Sequence, residues 1–407
     1  MAEDLNASIL LKELKPYQWI FSIFGLNFPP FLIYRSHKDV KYYLVLIIYF
    51  LYCVILFVDA VWAAYIHSVI IKGWAVTLQL DYLTEVVTYM QNIFMAGLQL
   101  VFLYKCWCGH LNLLEILQLI NKLEHNMLKI CPIIFKNQML RKRLLITTSL
   151  FLIMLVSFLI LLNYYLTATN LELRNKLFFA FFLMVVQIKF LDYGIYVQLI
   201  YEYMLMLLKS LQCLREKVEN EVDRQQPLAG YYHKSLRQNQ ACLMEIWFVV
   251  YKLEQYFAWP IFILFFYNGI IILYTVSWAY VQYLFEIKTR YQILRLAYIT
   301  VVLLNMLLLC YLTQKCINEY QKFSYLLLNF KLYPHDVQMK MISREYSLQL
   351  MHQRIQFTCN GYMDIDLSYY GKTILVIFAY VIIVLQFKLT DVSEGIRRAT
   401  KHMFQRL

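Results

Sequence analysis

Ala379-Tyr380-Val381-Ile382-Ile383-Val384-Leu385-Gln386-Phe387 is the stretch on which the reading of this chain turns. It closes an apolar run that starts at Thr373. At ~1.5 Å rise per residue such a run spans only ~22 Å, short of the ~30 Å hydrocarbon core of a bilayer. An apolar helix that short, with the uncharged amide of Gln386 near its end, fits a setting where protein or water replaces lipid along part of its surface.

The surrounding chain is that of a membrane protein. Of its 407 residues 61% are hydrophobic and 16% charged, whereas soluble domains carry about a quarter charged. Ten glycines and seven prolines leave turn signals sparse, which favours long helices. The class expected is an all-α membrane protein. The net charge of +12 lies between the apolar runs, as the inner-leaflet rule requires, so lipid rather than nucleic acid is the expected partner. Glu3, Asp4, Lys12, Glu13 and Lys15 interrupt any signal-like core before Pro16, so the first spanning helix is expected to direct insertion. The nine cysteines are scattered and give no disulfide framework.

Seven apolar runs read as spans: Tyr43–Tyr65, Leu83–Tyr104, Leu144–Leu166, Leu177–Ile200, Phe257–Leu284, Ile293–Thr313 and Lys372–Phe387. An odd number puts the termini on opposite faces. With Arg295 and Lys372 counted in the connections they border, 26 of the 38 Lys/Arg fall on the N-terminal face and 11 on the other, Lys189 lying within the fourth span. The expected orientation is therefore N-terminus cytosolic and C-terminus extracellular. The organisation expected is a cytosolic arm at 1–42 and the first six helices at 43–314, with cytosolic helical extensions at 105–143 and 201–256. An anchor segment at 315–371, the seventh helix at 372–387 and an outer tail at 388–407 complete it.

That orientation is opposite to a receptor coupled to G proteins. Segments 66–82, 167–176, 285–292 and 388–407 hold no cysteine, no Asp/Glu-Arg-Tyr follows the third span, and no Asn-Pro-x-x-Tyr occurs in the seventh. The inner connections carry helical stripes. Leu111, Leu114, Leu117 and Leu123 form one; Leu207, Leu211, Leu214, Val218 and Val222 another; Leu243, Ile246, Val250 and Leu253 a third. Val337, Met341, Leu348, Met351 and Ile355 form a more ragged fourth. Helices running out of the bilayer into a cytosolic bundle are expected, with a turn at Gln226-Pro227-Leu228-Ala229-Gly230. Packing within the chain and packing between subunits explain these stripes equally well.

With seven spans and the terminal Tyr-(five aliphatics)-Gln-Phe in hand, the chain resembles the insect gustatory receptors, relatives of the odorant receptors. That family's seventh helix carries Thr-Tyr, five hydrophobic residues and Gln-Phe. Tyr380, Gln386 and Phe387 match it, and Ala379 stands where the threonine would be. Gly361-Tyr362-Met363-Asp364-Ile365-Asp366-Leu367-Ser368 resembles the family's lead-in to that helix. The resemblance implies a tastant-gated, nonselective cation channel, assembled as a homo- or heterotetramer with other gustatory receptor subunits. The seventh helices would surround one pore, and the location would be the plasma membrane of chemosensory neurons, on the dendrite with axon or soma as further sites. Bitter compounds are the expected small-molecule tastants, and an odorant-receptor-type subunit is the alternative. The family's gate positions fall on Ile383, Gln386 and Phe387.

If Gln386 faces the pore, helical spacing brings Ala379, Ile382 and Ile383 towards the same side, and four such helices make apolar rings that gate by dewetting. On spacing alone, Gln386 bonding a neighbouring helix and Phe387 anchoring at the interface is the plainer reading. Asp391 and Glu394 follow, with Lys388, Arg397 and Arg398 opposing them, and read as solvated tail charges. Lys189 and Asp192, three residues apart in the fourth span, are expected to pair with each other. The outer halves of the spans offer a candidate ligand pocket: Glu85, Tyr89 and Asn92; Asn163, Tyr164 and Tyr165; Gln187; Tyr274 and Trp278; Tyr298 and Asn305. Aromatic faces with a few orienting amides suit a small organic ligand, although Tyr and Trp also belong at membrane interfaces for their own sake. Cys106-Trp107-Cys108-Gly109-His110 lacks the partner pair that a closed zinc site needs, so no metal is expected. Asn6-Ala7-Ser8 matches a glycosylation acceptor that a cytosolic arm leaves unmodified. No catalytic constellation or phosphate loop is present, and neither an enzyme nor a cofactor is expected.

Overall fold

From Val185 to Met204 every residue of one helix is buried, which makes that helix the axis of the molecule. Buried on all sides, it reads as an apolar run whose charged and amide groups Gln187, Lys189, Asp192, Gln198 and Glu202 find hydrogen-bond partners inside the bundle. In the computed structural model, which describes residues 9–33, 40–78, 82–130, 137–168, 173–223, 230–284, 290–330 and 336–404, this axis belongs to α7. Asn6 and most of the expected turn at Gln226–Gly230 lie outside the described residues, as do the side chains of Asn163, Tyr164, Tyr165, Asp391 and Glu394.

The helices are α1 (Ile9–Ile23), α2 (Pro30–Ile33), α3 (Val40–Leu78), α4 (Tyr82–Cys108), α5 (His110–Ile130), α6 (Asn137–Ala168), α7 (Leu173–Asp223), α8 (Gly230–Leu284), α9 (Arg290–Leu328), α10 (Val337–His352) and α11 (Leu367–Phe404). Each of the seven apolar runs falls within one of α3, α4, α6, α7, α8, α9 and α11, and the molecule is a multi-pass, all-helical membrane protein. The 51 residues of α7 and 55 of α8 reach roughly 77 and 83 Å, more than twice a hydrocarbon core, so about half of each helix projects beyond the bilayer. Their projecting halves pack with α5, α10 and the end of α9 into a second bundle, here the anchor end; the opposite end of the spans is the far end. Exposed aliphatic side chains from Leu44 to Val61 line the outside of α3, the side that lipid covers.

Leu207, Leu211, Leu214 and Val218 on α7, and Leu243, Ile246, Val250 and Leu253 on α8, are buried as their spacing requires. The stripe read before the seventh span is corrected. Val337, Met341, Leu348 and Met351 are exposed, and α10 instead buries Met339, Ile342, Ser343, Tyr346 and Leu350. The inward face was hidden because its centre is a tyrosine and a serine. The Tyr346 hydroxyl donates to Asn239 Oδ1 at 2.8 Å, while Asn239 Nδ2 donates to the Leu207 carbonyl at 3.1 Å, so one polar chain ties α10 to α8 and α7. Leu111 is likewise exposed, and α5 turns Leu113, Ile116, Leu117, Ile120, Leu123 and Met127 inward.

Gly109 marks the break between α4 and α5. A Cβ there would sit 2.5 Å from the Lys105 carbonyl oxygen and 2.8 Å from the Tyr256 ring. Backbone leaves no room to yield, so Gly109→Ala is expected to cost about 1–3 kcal/mol by overpacking. Thermal melting of the purified protein, read by size-exclusion profile, checks this; an unaltered melt would mean that the two helices hinge freely.

Candidate functional site

The expected short seventh helix is the middle of a 38-residue helix, α11, which continues through Phe404. The apolar run is short, but the helix is not: it continues from Lys388 to Phe404 through the segment read as the outer tail. Within the chain α11 touches α8 and α9. Val384 is buried, with Ile377 and Val381 half-buried on the same face. Ala379, Tyr380, Ile382, Ile383, Gln386 and Phe387 are all exposed, and only 6% of the apolar window is buried. At 100° per residue, Ala379, Ile382, Ile383 and Gln386 lie on the side away from the Ile377–Val381–Val384 stripe, with Phe387 on its flank.

The lead-in positions this helix. Residues 353–366 form a small antiparallel turn with one bridge between Thr358 and Asp364. Cys359 N bonds Met363 O at 2.8 Å and Ile365 N bonds Phe357 O at 2.7 Å. Asn360 (φ 52°) and Gly361 (φ 74°) supply the left-handed corner. Glu254 on α8 accepts from Thr358 N at 2.6 Å, fixing the turn to the anchor end. Burial, then the nearby Glu254 carboxylate, pushes the Cys359 thiol up to about 12, which keeps it protonated and inert. Asp366 caps α11 by accepting from Tyr369 N at 2.6 Å. Asp366→Ala is expected to cost about 1 kcal/mol, seen as a lower melting temperature; no change would place the helix start elsewhere.

At the far end the structure unites part of the expected pocket. Asn92 is buried on α4, its Oδ1 2.7 Å from His67 Nδ1 and its Nδ2 donating to Ser68 Oγ at 2.7 Å. Tyr274 on α8 reaches His67 Nε2 at 3.3 Å, and Trp278 donates to Thr88 Oγ1 at 3.2 Å. The Arg295 guanidinium lies 5.9 Å from the Trp278 ring. Tyr298 is half-buried on α9, and Glu85 and Tyr89 are half-buried on α4. Gln187 and Asn305 form a separate buried hydrogen-bonded pair between α7 and α9. His67, Ser68, Thr88 and Arg295 were not legible as site residues. The apolar window of the first span ends at Tyr65, yet α3 runs on to Leu78 and carries the histidine into the bundle.

Nearer the anchor end, Lys189 and Asp192 pair at 2.6 Å with 1% and 0% of their side chains exposed, as their spacing predicts. The spacing does not reveal their third partner. The chain between α1 and α2 enters the bundle, where Asn27 Nδ2 donates to Asp192 Oδ1 at 2.8 Å. Asn27 Oδ1 accepts from Tyr256 at 3.0 Å and its carbonyl from Tyr49 at 2.9 Å. Of the Cys106–His110 cluster, Trp107 and His110 pack on Phe28, and no group of His, Cys, Asp or Glu suited to a metal occurs among the described residues.

This arrangement of helices is shared with solved insect olfactory receptors. The structure of OR5 from Machilis hrabei superposes with a TM-score of 0.62 at 13% identity, covering 93% of this chain and 98% of that one. The same receptor in complex with eugenol gives 0.63 at 12% identity, covering 92% and 98%. The 7tm Chemosensory receptor family matches residues 14–391, and the chain belongs to that family. Two Drosophila melanogaster proteins that carry gustatory-receptor names are similar in sequence. They are 98b, 35% identical over 54% of this chain and 55% of its own length, and 98c, 33% identical over 53% of each. The chain thus spans about half the length of the curated relatives it matches.

Proposed function

We propose that this chain is a gustatory receptor subunit that opens a nonselective cation channel on binding a small-molecule tastant, bitter compounds foremost, in the plasma membrane of chemosensory neurons. The observation that carries the proposal is the bare seventh helix. An apolar face bearing Ile382, Ile383, Gln386 and Phe387 is stable in a membrane protein only against lipid, water in a pore, or other copies. A tetramer, homomeric or heteromeric, puts Gln386 and its neighbours on a common axis. The exposed Val337–Met341–Leu348–Met351 face of α10 offers apolar surface for subunit contacts at the anchor end. The N-terminus is cytosolic in this reading, so the far-end cluster of Asn92, Tyr274, Trp278 and Tyr298 opens outward. Ligand binding favours the open state only through contacts better made there.

The likeness to solved olfactory receptors supports one alternative, an odorant-type subunit within the same channel class. Excised-patch recording tests the common part. Tastant-evoked current without GTP is expected, and strict dependence on G protein would sink the channel reading. A calcium-imaging screen against tastants and odorants then separates the two classes.

A further inference from the structure

The turn at 353–366, from which α11 starts, is held by side chains of two other helices. Its ladder bonds run through Phe357 and Cys359. Successive amides of a strand point to opposite sides, so the Thr358 amide between them faces out of the turn. Glu254 Oε1 on α8 accepts it at 2.6 Å. Two helical turns earlier on the same face of α8, Trp247 Nε1 donates to the Arg354 carbonyl at 3.2 Å. From α9, the Tyr320 hydroxyl donates to the Leu350 carbonyl at 3.4 Å and to that of Gln353. Ile355, Phe357, Cys359, Met363 and Ile365 are all buried.

The helix that follows has no comparable hold. Tyr369, in its first turn, meets Phe265 of α8 edge-on at 6.1 Å, and from there to Phe387 Val384 alone is buried. Within the chain, the direction of α11 is therefore set mainly at its base. A tilt of about 10° there moves Gln386, ~30 Å further along the helix, by ~5 Å. Glu254 makes no salt bridge among the described residues. Burial pushes its carboxyl up, the Thr358 amide and hydroxyl pull it down, and Asp364 raises it again. What Glu254 gives the turn is a hydrogen bond and not an ion pair.

We propose that Glu254 is a positioning residue for the gate: its bond to Thr358 fixes the base of α11 so that the apolar rings at Ile383 and Phe387 meet in register. The proposal rests on reading α11 as the pore helix. A dewetting seal needs one narrow arrangement of its helices, whereas a conducting pore tolerates many wider ones, so freeing the base favours conduction. Glu254 also stands on the helix that carries Tyr274 and Trp278 at the far end, which puts gate alignment and the expected pocket on one continuous element.

The test records current without tastant in cells expressing the full chain, scaled to the surface protein captured by biotinylation. Glu254→Met keeps the length of the side chain and loses the carboxylate. It is expected to raise resting current about tenfold or more, the factor that one hydrogen bond to a charged group supplies. Glu254→Gln keeps an acceptor for the Thr358 amide and should conduct at rest like wild type. Trp247→Phe removes the companion donor on the same face and should raise the current several-fold; it carries the test if Glu254→Met fails to reach the surface. Resting current unchanged in Glu254→Met overturns the proposal. So does Glu254→Gln conducting as freely as Glu254→Met, which would make charge the operative property. A fall in current in Glu254→Met, the mark of a purely structural role, overturns it as well. Ile383→Ala separates this proposal from the gate it serves. If Ile383→Ala conducts at rest and Glu254→Met does not, the positioning role falls and the gate stands; if neither conducts, both fall.

Discussion

Asp192→Ala is expected to destabilise the protein by about 3–5 kcal/mol, the cost of leaving one member of a buried ion pair behind. Lys189 would then be left 1% exposed without its carboxylate, against the aromatic faces of Phe257 at 4.8 Å, Phe102 at 5.7 Å and Tyr256 at 5.9 Å. Cation–π attraction of up to about 2 kcal/mol does not offset desolvation of several kcal/mol. The same change frees Asn27 Nδ2, so the segment between α1 and α2 loses its hold on α7. Asp192→Asn preserves an acceptor for Asn27 and should fall between wild type and alanine. The double variant Lys189→Met with Asp192→Leu removes both charges and should recover most of the loss. Monodisperse protein surviving heating is the measurement, and an alanine variant that melts with wild type would show that water reaches the pair.

Ile383→Ala and Phe387→Ala are expected to raise current in the absence of ligand by at least about tenfold. A tenfold shift in the closed–open balance requires about 1.4 kcal/mol. Each Ile→Ala removes three carbons, and at ~0.8 kcal/mol per buried CH₂ the four copies of the proposed tetramer command several times that. A fraction of the apolar seal is therefore enough. Val384→Ala serves as the contrast. That side chain is buried within its own chain, so its loss should lower thermal stability more than it alters resting current. Whole-cell recording without tastant decides the matter. Resting current and ligand response unchanged at both Ile383 and Phe387 would remove the gate from this part of α11.

Much of the architecture is written in the chain itself. The seven apolar runs, the Lys/Arg imbalance, and the stripes on α7 and α8 follow from periodicity and composition, which report how a helix meets its surroundings. The pairing of Lys189 with Asp192 was legible for the same reason, since three residues on a helix bring two side chains to one face. The exposed face of α11 was marked by the run ending in Gln386 and Phe387.

Other features exist only once helices are brought together. Asn27 lies 165 residues from Asp192, and no local pattern connects them. The inward face of α10 is decided by whether the Tyr346 hydroxyl finds Asn239, a partner 107 residues away. Periodicity on one helix determined which residues turn inward; the tertiary structure determined what they meet there, because hydrogen bonds and ion pairs depend on distances between helices that no single helix encodes.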